Sequence, residues 1–309
     1  MPGGIRAARA PVWRDFGSSR LTKSANAVVQ SGPAPGLRNI RFNKDWITRP
    51  LFGAALALIT ITAILGGVEY FAILSAVVGI SAAREWHRLV TSRTYGRDFF
   101  VTSATIIVTV MTALTWPYSM VPWIAIVAGV ALSAGMARSR GEKILWQCSG
   151  AAYLCVPILS LLLLRDAPHG AMITIALFIG VWMTDTGALV VGNLVGGARL
   201  WPSLSPNKTW AGTLGGVALA AAAEAGFVVL LGGQALTGVM LGSGIAIVAH
   251  CGDLFESWVK RVFQRKDSGS MIPGHGGVLD RIDSTLGAAP CLAALVLIAG
   301  INPLSGAPV

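Results

Sequence analysis

The chain has 309 residues, 54% of them hydrophobic and only 12% charged, where soluble domains carry about 25% charged residues. So few charges cannot cover a water-facing surface, which excludes an ordinary soluble domain and leaves one helical membrane domain with a polar tail. The net charge of +10 does not call for nucleic acid. The cations lie in loops between apolar runs, where the positive-inside rule and anionic phosphate ligands account for them.

Residues 1–45 are rich in Arg, Ser, Pro and Gly, with Asp15 and Asp45 as their acids. No apolar run follows the first basic residues, so the stretch does not read as a secretory signal. It reads as a disordered cytosolic tail held near anionic lipid; an organelle transit peptide fits the same composition. From Pro50 onward apolar segments follow one another closely. A hydrocarbon core needs about 20 residues of helix, and spans are expected near 50–66, 67–84, 100–116, 121–137, 146–164, 171–192, 211–231, 235–251 and 286–302. The expected fold is therefore an all-α integral membrane protein, a polytopic bundle of about nine transmembrane helices. Gly66-Gly67 forces a tight hairpin between the first two, and Pro117 and Pro122 bracket the turn between the third and fourth.

Charge orients the bundle. With a cytoplasmic N-terminus, every lysine and arginine except Arg165 falls on the inner side, as the positive-inside rule demands. The C-terminus then lies outside. Glycines open the seventh span at Gly212, Gly215 and Gly216 and line the eighth at Gly238, Gly242 and Gly244, and close helix packing explains them. Cys148, Cys155, Cys251 and Cys291 form neither a CxxC pair nor a zinc-like spacing, so no disulfide framework is expected. His87, His169 and His250 have no ligand spacing and read as interfacial or structural. Glu224 lies mid-span, where an acid is either functional or held by hydrogen bonds.

Two inner loops, near 193–210 and 252–285, differ from the rest. In the second, Asp253, Glu256 and Lys260 share a helix face by their spacing. Asp280 and Asp283 project together from the start of the ninth span. Carboxylates gathered at the mouth of a membrane bundle are costly unless compensated. A divalent cation would compensate them, and Mg²⁺ favours carboxylate oxygens together with substrate phosphates. Lys260, Arg261, Lys266 and Arg281 suit a polyanion through charge-assisted hydrogen bonds. The run Pro273-Gly274-His275-Gly276-Gly277 can present consecutive backbone N–H groups to phosphate.

Ser257, Lys260-Arg261, Lys266-Asp267, Gly269, Pro273, His275-Gly276-Gly277, Asp280-Arg281 and Asp283 stand in the register of one signature. It resembles that of the phosphatidate cytidylyltransferase (CDP-diacylglycerol synthase) family. Gly252-Asp253 and Arg84-Glu85-Trp86 are also similar to family members. In the first loop Ser205, Pro206, Lys208, Thr209, Trp210 and Gly212 resemble the family's Ser-Pro-x-Lys-Thr-Trp-Glu-Gly element, with Ala211 in place of its Glu. Asp185-Thr-Gly-Ala resembles an Asp-x-x-Ala-Tyr element, with Leu189 in place of the tyrosine, and Asn193 stands where arginine is common. The resemblance covers residues 46–303, which become the cytidylyltransferase domain.

The resemblance implies that phosphatidic acid attacks the α-phosphorus of CTP and that CDP-diacylglycerol and pyrophosphate form, in a bacterial inner membrane with the loops facing the cytoplasm. It implies Asp253, Asp280 and Asp283 as ligands of Mg²⁺, with a monovalent cation left open, and Lys260 and His275 beside them as catalytic groups. Substrate contacts are then expected from Asp185, Ser205, Asn207, Lys208, Thr209, Ser257, Arg261, Lys266, Gly276, Gly277 and Arg281. A homodimer follows by family analogy alone. A transporter would instead line its spans with charge. A CDP-alcohol phosphotransferase would need an Asp-Gly-x-x-Ala-Arg pattern that this sequence lacks. A degenerate, inactive member would agree with Ala211.

Overall fold

The computed structural model describes residues 45–269, 271 and 276–306, with side chains from Leu51 onward. The expected tail over 1–45, apart from the backbone of Asp45, lies outside the described residues, as do Pro273, Gly274 and His275. Nine helices and one short hairpin make up the described chain. They are α1 (Asp45–Gly66), α2 (Val68–Thr91), α3 (Arg97–Thr115), α4 (Val121–Ser139), α5 (Ile144–Asp166), α6 (Gly170–Val195), β1 (Arg199–Trp201), β2 (Ser205–Thr209), α7 (Trp210–Leu230), α8 (Ala235–Val262) and α9 (Leu279–Leu297).

Six of these, α3 to α8, are long and apolar enough to cross a membrane. α1 contributes a shorter apolar stretch, Leu51–Gly66. α2 and α9 fall outside that set; α2 carries Glu69 in its first turn and Arg84, Glu85 and Arg88 toward its end, and α9 carries Asp280, Arg281 and Asp283 at its start. α9 starts earlier than the hydropathy suggested, at Leu279 rather than near residue 286. Its first turn is acidic and charged, which an apolarity window cannot see, although an acid there suits the helix dipole.

Large apolar side chains also face outward on most helices, among them Leu58, Ile73, Phe100, Met111, Val127, Leu214 and Met240. Exposed hydrophobic surface on this scale marks a nonaqueous or protein neighbour. α5 is the central helix, with 72% of its apolar window buried against 22% for α7. Its own Leu154 and Leu159, and around it Trp86, Phe71, Ile173 and Leu177, are fully buried.

Two departures from a plain bundle position the charged residues. β1 and β2 form an antiparallel hairpin within the stretch near 193–210 expected to be an inner loop of an all-α protein. Arg199 pairs with Thr209 and Trp201 with Ser205, so Pro206, Asn207 and Lys208 bulge opposite Leu200. The proline cannot donate to a ladder and suits such a bulge. The second departure is backbone contact through glycine. A Cβ on Gly252 of α8 would lie 2.6 Å from the Asp283 carbonyl oxygen of α9, and one on Gly287 would lie 3.0 Å from the Gly252 Cα. The two helices therefore cross at a separation that only glycine allows, which sets Asp253 and Glu256 against the first turns of α9.

Candidate active site

The bulged hairpin, α6, the start of α7 and α8 enclose a cleft of about 430 Å³. Its polar lining comes from Asp185, Asn193, Asn207, Lys208, His250 and Asp253. Lys208, pushed out of the ladder by the bulge, makes an ion pair with Asp253. Asp185 is exposed to the cleft and accepts a hydrogen bond from the Ser284 hydroxyl at 3.5 Å. His250, one turn before Asp253 on α8, donates from Nε2 to the Thr213 carbonyl oxygen at 3.2 Å. Thr209 closes the hairpin and caps α7, its Oγ1 accepting from the Gly212 N–H at 3.0 Å.

Along α8 and α9 the charges alternate. Lys260 donates from Nζ to Asp280 Oδ1 at 2.8 Å and pairs with Glu256 at 3.4 Å. The other Asp280 oxygen accepts from the backbone N–H groups of Gly277, at 3.1 Å, and Ser268, at 3.4 Å. Gly276 has φ +85, a left-handed conformation that suits glycine. Asp283 is 8% exposed and accepts from the Ser284 N–H at 2.7 Å. It faces Glu256 and Asp253. Glu256 is fully buried, and neither of its oxygens accepts a hydrogen bond from a described donor. From α5 the Tyr153 hydroxyl is buried, also without a described partner, within electrostatic reach of Glu256 and Asp283. Its ring stands between Trp86 and Phe255, with centroids at 5.0 and 5.2 Å.

The structure thus gathers Asp185, Asn207, Lys208, Thr209 and Asp253 at the cleft, and Asp253, Ser257, Lys260, Asp280 and Asp283 on the facing turns of α8 and α9. Ser257 donates to Asp253 Oδ1 at 3.5 Å. Other expected contacts are placed differently. Arg261 donates from Nε to the Leu204 carbonyl at 3.1 Å and from a terminal nitrogen to the Arg265 carbonyl at 3.3 Å, so it ties the hairpin to α8. Lys266 and Arg281 are exposed, and Ser205 starts β2. Among the described residues no three His, Cys, Asp or Glu side chains form a ready-made metal group; a lysine holds each of Asp253 and Asp280 instead.

Four residues that the site uses or adjoins were given no site role by the sequence: Glu256, His250, Tyr153 and Glu85. Glu256 carried a signal, its i+3 and i−4 spacing to Asp253 and Lys260. His250 carried the same signal, three residues before Asp253. Glu85 stood in the Arg84-Glu85-Trp86 resemblance without a role, and Tyr153 carried no signal, because both reach the site from distant helices, α2 and α5.

The family model described as the cytidylyltransferase family matches residues 47–299. The phosphatidate cytidylyltransferase of Brucella suis biovar 1 (strain 1330) is 37% identical over 249 residues, covering 79% of this chain and 91% of that protein. The protein of the same name from Rickettsia bellii (strain RML369-C) is 36% identical over 160 residues, 49% of this chain and 69% of its own. The one from Haemophilus influenzae is 40% identical over 132 residues, 41% of this chain and 46% of its own. A match over most of the length, on a chain whose acids and lysines meet at a cleft, leads to one conclusion: the chain belongs to the cytidylyltransferase family.

Proposed function

We propose that the protein transfers the cytidylyl group of CTP to phosphatidic acid, releasing pyrophosphate and forming CDP-diacylglycerol. The observation that carries this reading is the convergence of Lys208, Asp253, Glu256, Lys260, Asp280 and Asp283 at one end of an apolar bundle. Phosphate chemistry needs those charges, and a lipid substrate needs that bundle beside them. A phosphate oxygen of the lipid forms a bond to the α-phosphorus. The bond from the α-phosphorus to the bridging oxygen breaks, and its electron pair leaves with pyrophosphate. The attacking oxygen is already anionic, so no strong base is needed. Lys208 and Lys260 would exchange their carboxylate partners for phosphate oxygens, neutralising the charge that builds on the leaving group. Gly276 would add a backbone donor, and the Gly277 N–H would exchange Asp280 for phosphate. His275 would contact phosphate or protonate the leaving group.

The carboxylates suit Mg²⁺. They are hard oxygen donors, and in the buried Glu256 one oxygen meets Lys260 while Oε1 has no described donor, as a cation ligand would. Asp253, Asp280 and Asp283, with Glu256, would hold the ion directly or through water. When bound it would supply charge neutralisation and in-line orientation of the reacting oxygens. In the orientation that the cation distribution supports, all nine helices cross a bacterial inner membrane, the N-terminus is cytoplasmic, and the site opens to the cytoplasm. The acyl chains stay in the bilayer. The homodimer implied by the resemblance is readable as particle mass in detergent.

The test is pyrophosphate release by purified protein in detergent. Release that requires CTP, phosphatidic acid and Mg²⁺ together, and stops with chelator, is the expected result. Release independent of phosphatidic acid, or none from folded protein, would overturn the reading.

A further inference from the structure

α9 begins without a cap of its own. Val278 precedes it and makes no side-chain cap, and among the described residues no side chain nearby in sequence takes the Leu279 N–H, which a buried helix end cannot leave bare. The missing acceptor comes from α2. Glu85 Oε2 accepts from the Leu279 N–H at 2.9 Å and from the Ser268 hydroxyl at 3.3 Å. Glu85 is 1% exposed, and an anion at this helix end also suits the α9 dipole. The two glycines of the loop that lie against it leave no room for a side chain. A Cβ on Gly277 would lie 3.0 Å from Glu85 Cδ, and one on Gly269 would lie 2.9 Å from Glu85 Cγ. On the other side of the same loop, Asp280 takes the N–H groups of Gly277 and Ser268. Two carboxylates therefore pinch the base of the loop shut, one from α2 and one from α9 itself.

We propose that Glu85 is a positioning residue for the transfer reaction. It docks the start of α9, and the base of the loop before it, onto α2, and so sets where Asp280 and Asp283 stand relative to Asp253, Glu256 and Lys260. Glu85 touches no reacting atom. The catalytic part of this inference rests on the cytidylyl-transfer reading; the docking part does not.

The test compares full-length wild type, Glu85→Ala and Glu85→Gln in detergent, by hydrogen exchange and by steady-state pyrophosphate release. In Glu85→Ala, exchange across 268–280 should speed up about tenfold or more, while peptides from α5 and α7 stay as in wild type. The kcat should fall by about tenfold to a hundredfold with KM for CTP little changed. Glu85→Gln keeps an acceptor for the Leu279 N–H and should recover most of both. Unchanged exchange across 268–280, a rise spread over every helix, or Gln as damaging as Ala would each overturn the proposal. If wild type releases no pyrophosphate, the function reading fails while the exchange comparison still decides the docking.

Discussion

The α6–α7 connection is closed by groups it contains. The Arg199–Thr209 and Trp201–Ser205 pairs hold its two arms together, and Thr209 caps the helix that follows. The α8–α9 connection is longer and has no strand in its described part. Its base is held by Glu85, which is far away in sequence, and by Asp280 in the next helix. The first loop presents Lys208 from a local bulge. The second places Asp280 and Asp283 only because α2, α8 and α9 are already packed. A locally closed loop should tolerate injury at a single point. A loop closed from outside should transmit it to the acids it carries.

The largest expected effect lies in the second loop. Asp280→Asn and Asp283→Asn should each lower pyrophosphate release by about 10³-fold, with insertion and detergent elution unchanged. Near-normal turnover in both would remove the acidic face of α9 from the chemistry. In the first loop Lys208→Met should cost about 10²-fold in kcat/KM, with melting unchanged, because the pair it leaves is partly exposed to the cleft. A large melting shift would show that the Lys208–Asp253 pair supports the fold instead. Smaller still, Thr209→Val removes the α7 cap and should cost about 1 kcal/mol, read as a drop of about 2–4 °C in melting temperature. A fall in activity far beyond that loss would show that the hairpin depends on more than its own contacts.

The same contrast explains what could be read in advance. Helix positions followed from apolar runs, since each expected segment carries a helix among the described residues. Asp253 and Lys260 followed from spacing along one helix. The hairpin at Arg199–Thr209 did not, because three- and five-residue strands interrupted by a bulge leave too short a pattern. The charge of Arg261 was visible in the sequence, and the Leu204 carbonyl that engages its Nε was not. Glu85 and Tyr153 could be placed only by tertiary packing. No periodicity connects Glu85 with Leu279, or the Tyr153 hydroxyl with Glu256.

The lysine pairs bear on how the site empties. Asp253 and Asp280 compete internally for the ammonium groups that an incoming anion would use. If these lysines hold pyrophosphate as proposed, partners already within reach would replace it as it departs. Such a site would trade ground-state affinity for turnover, and Asp253→Asn should expose the trade. With chelator present, the variant should hold pyrophosphate a few-fold more tightly than wild type, as calorimetry would read it, even as its turnover falls. Weaker binding would mean that Asp253 helps to hold the anion rather than to release it.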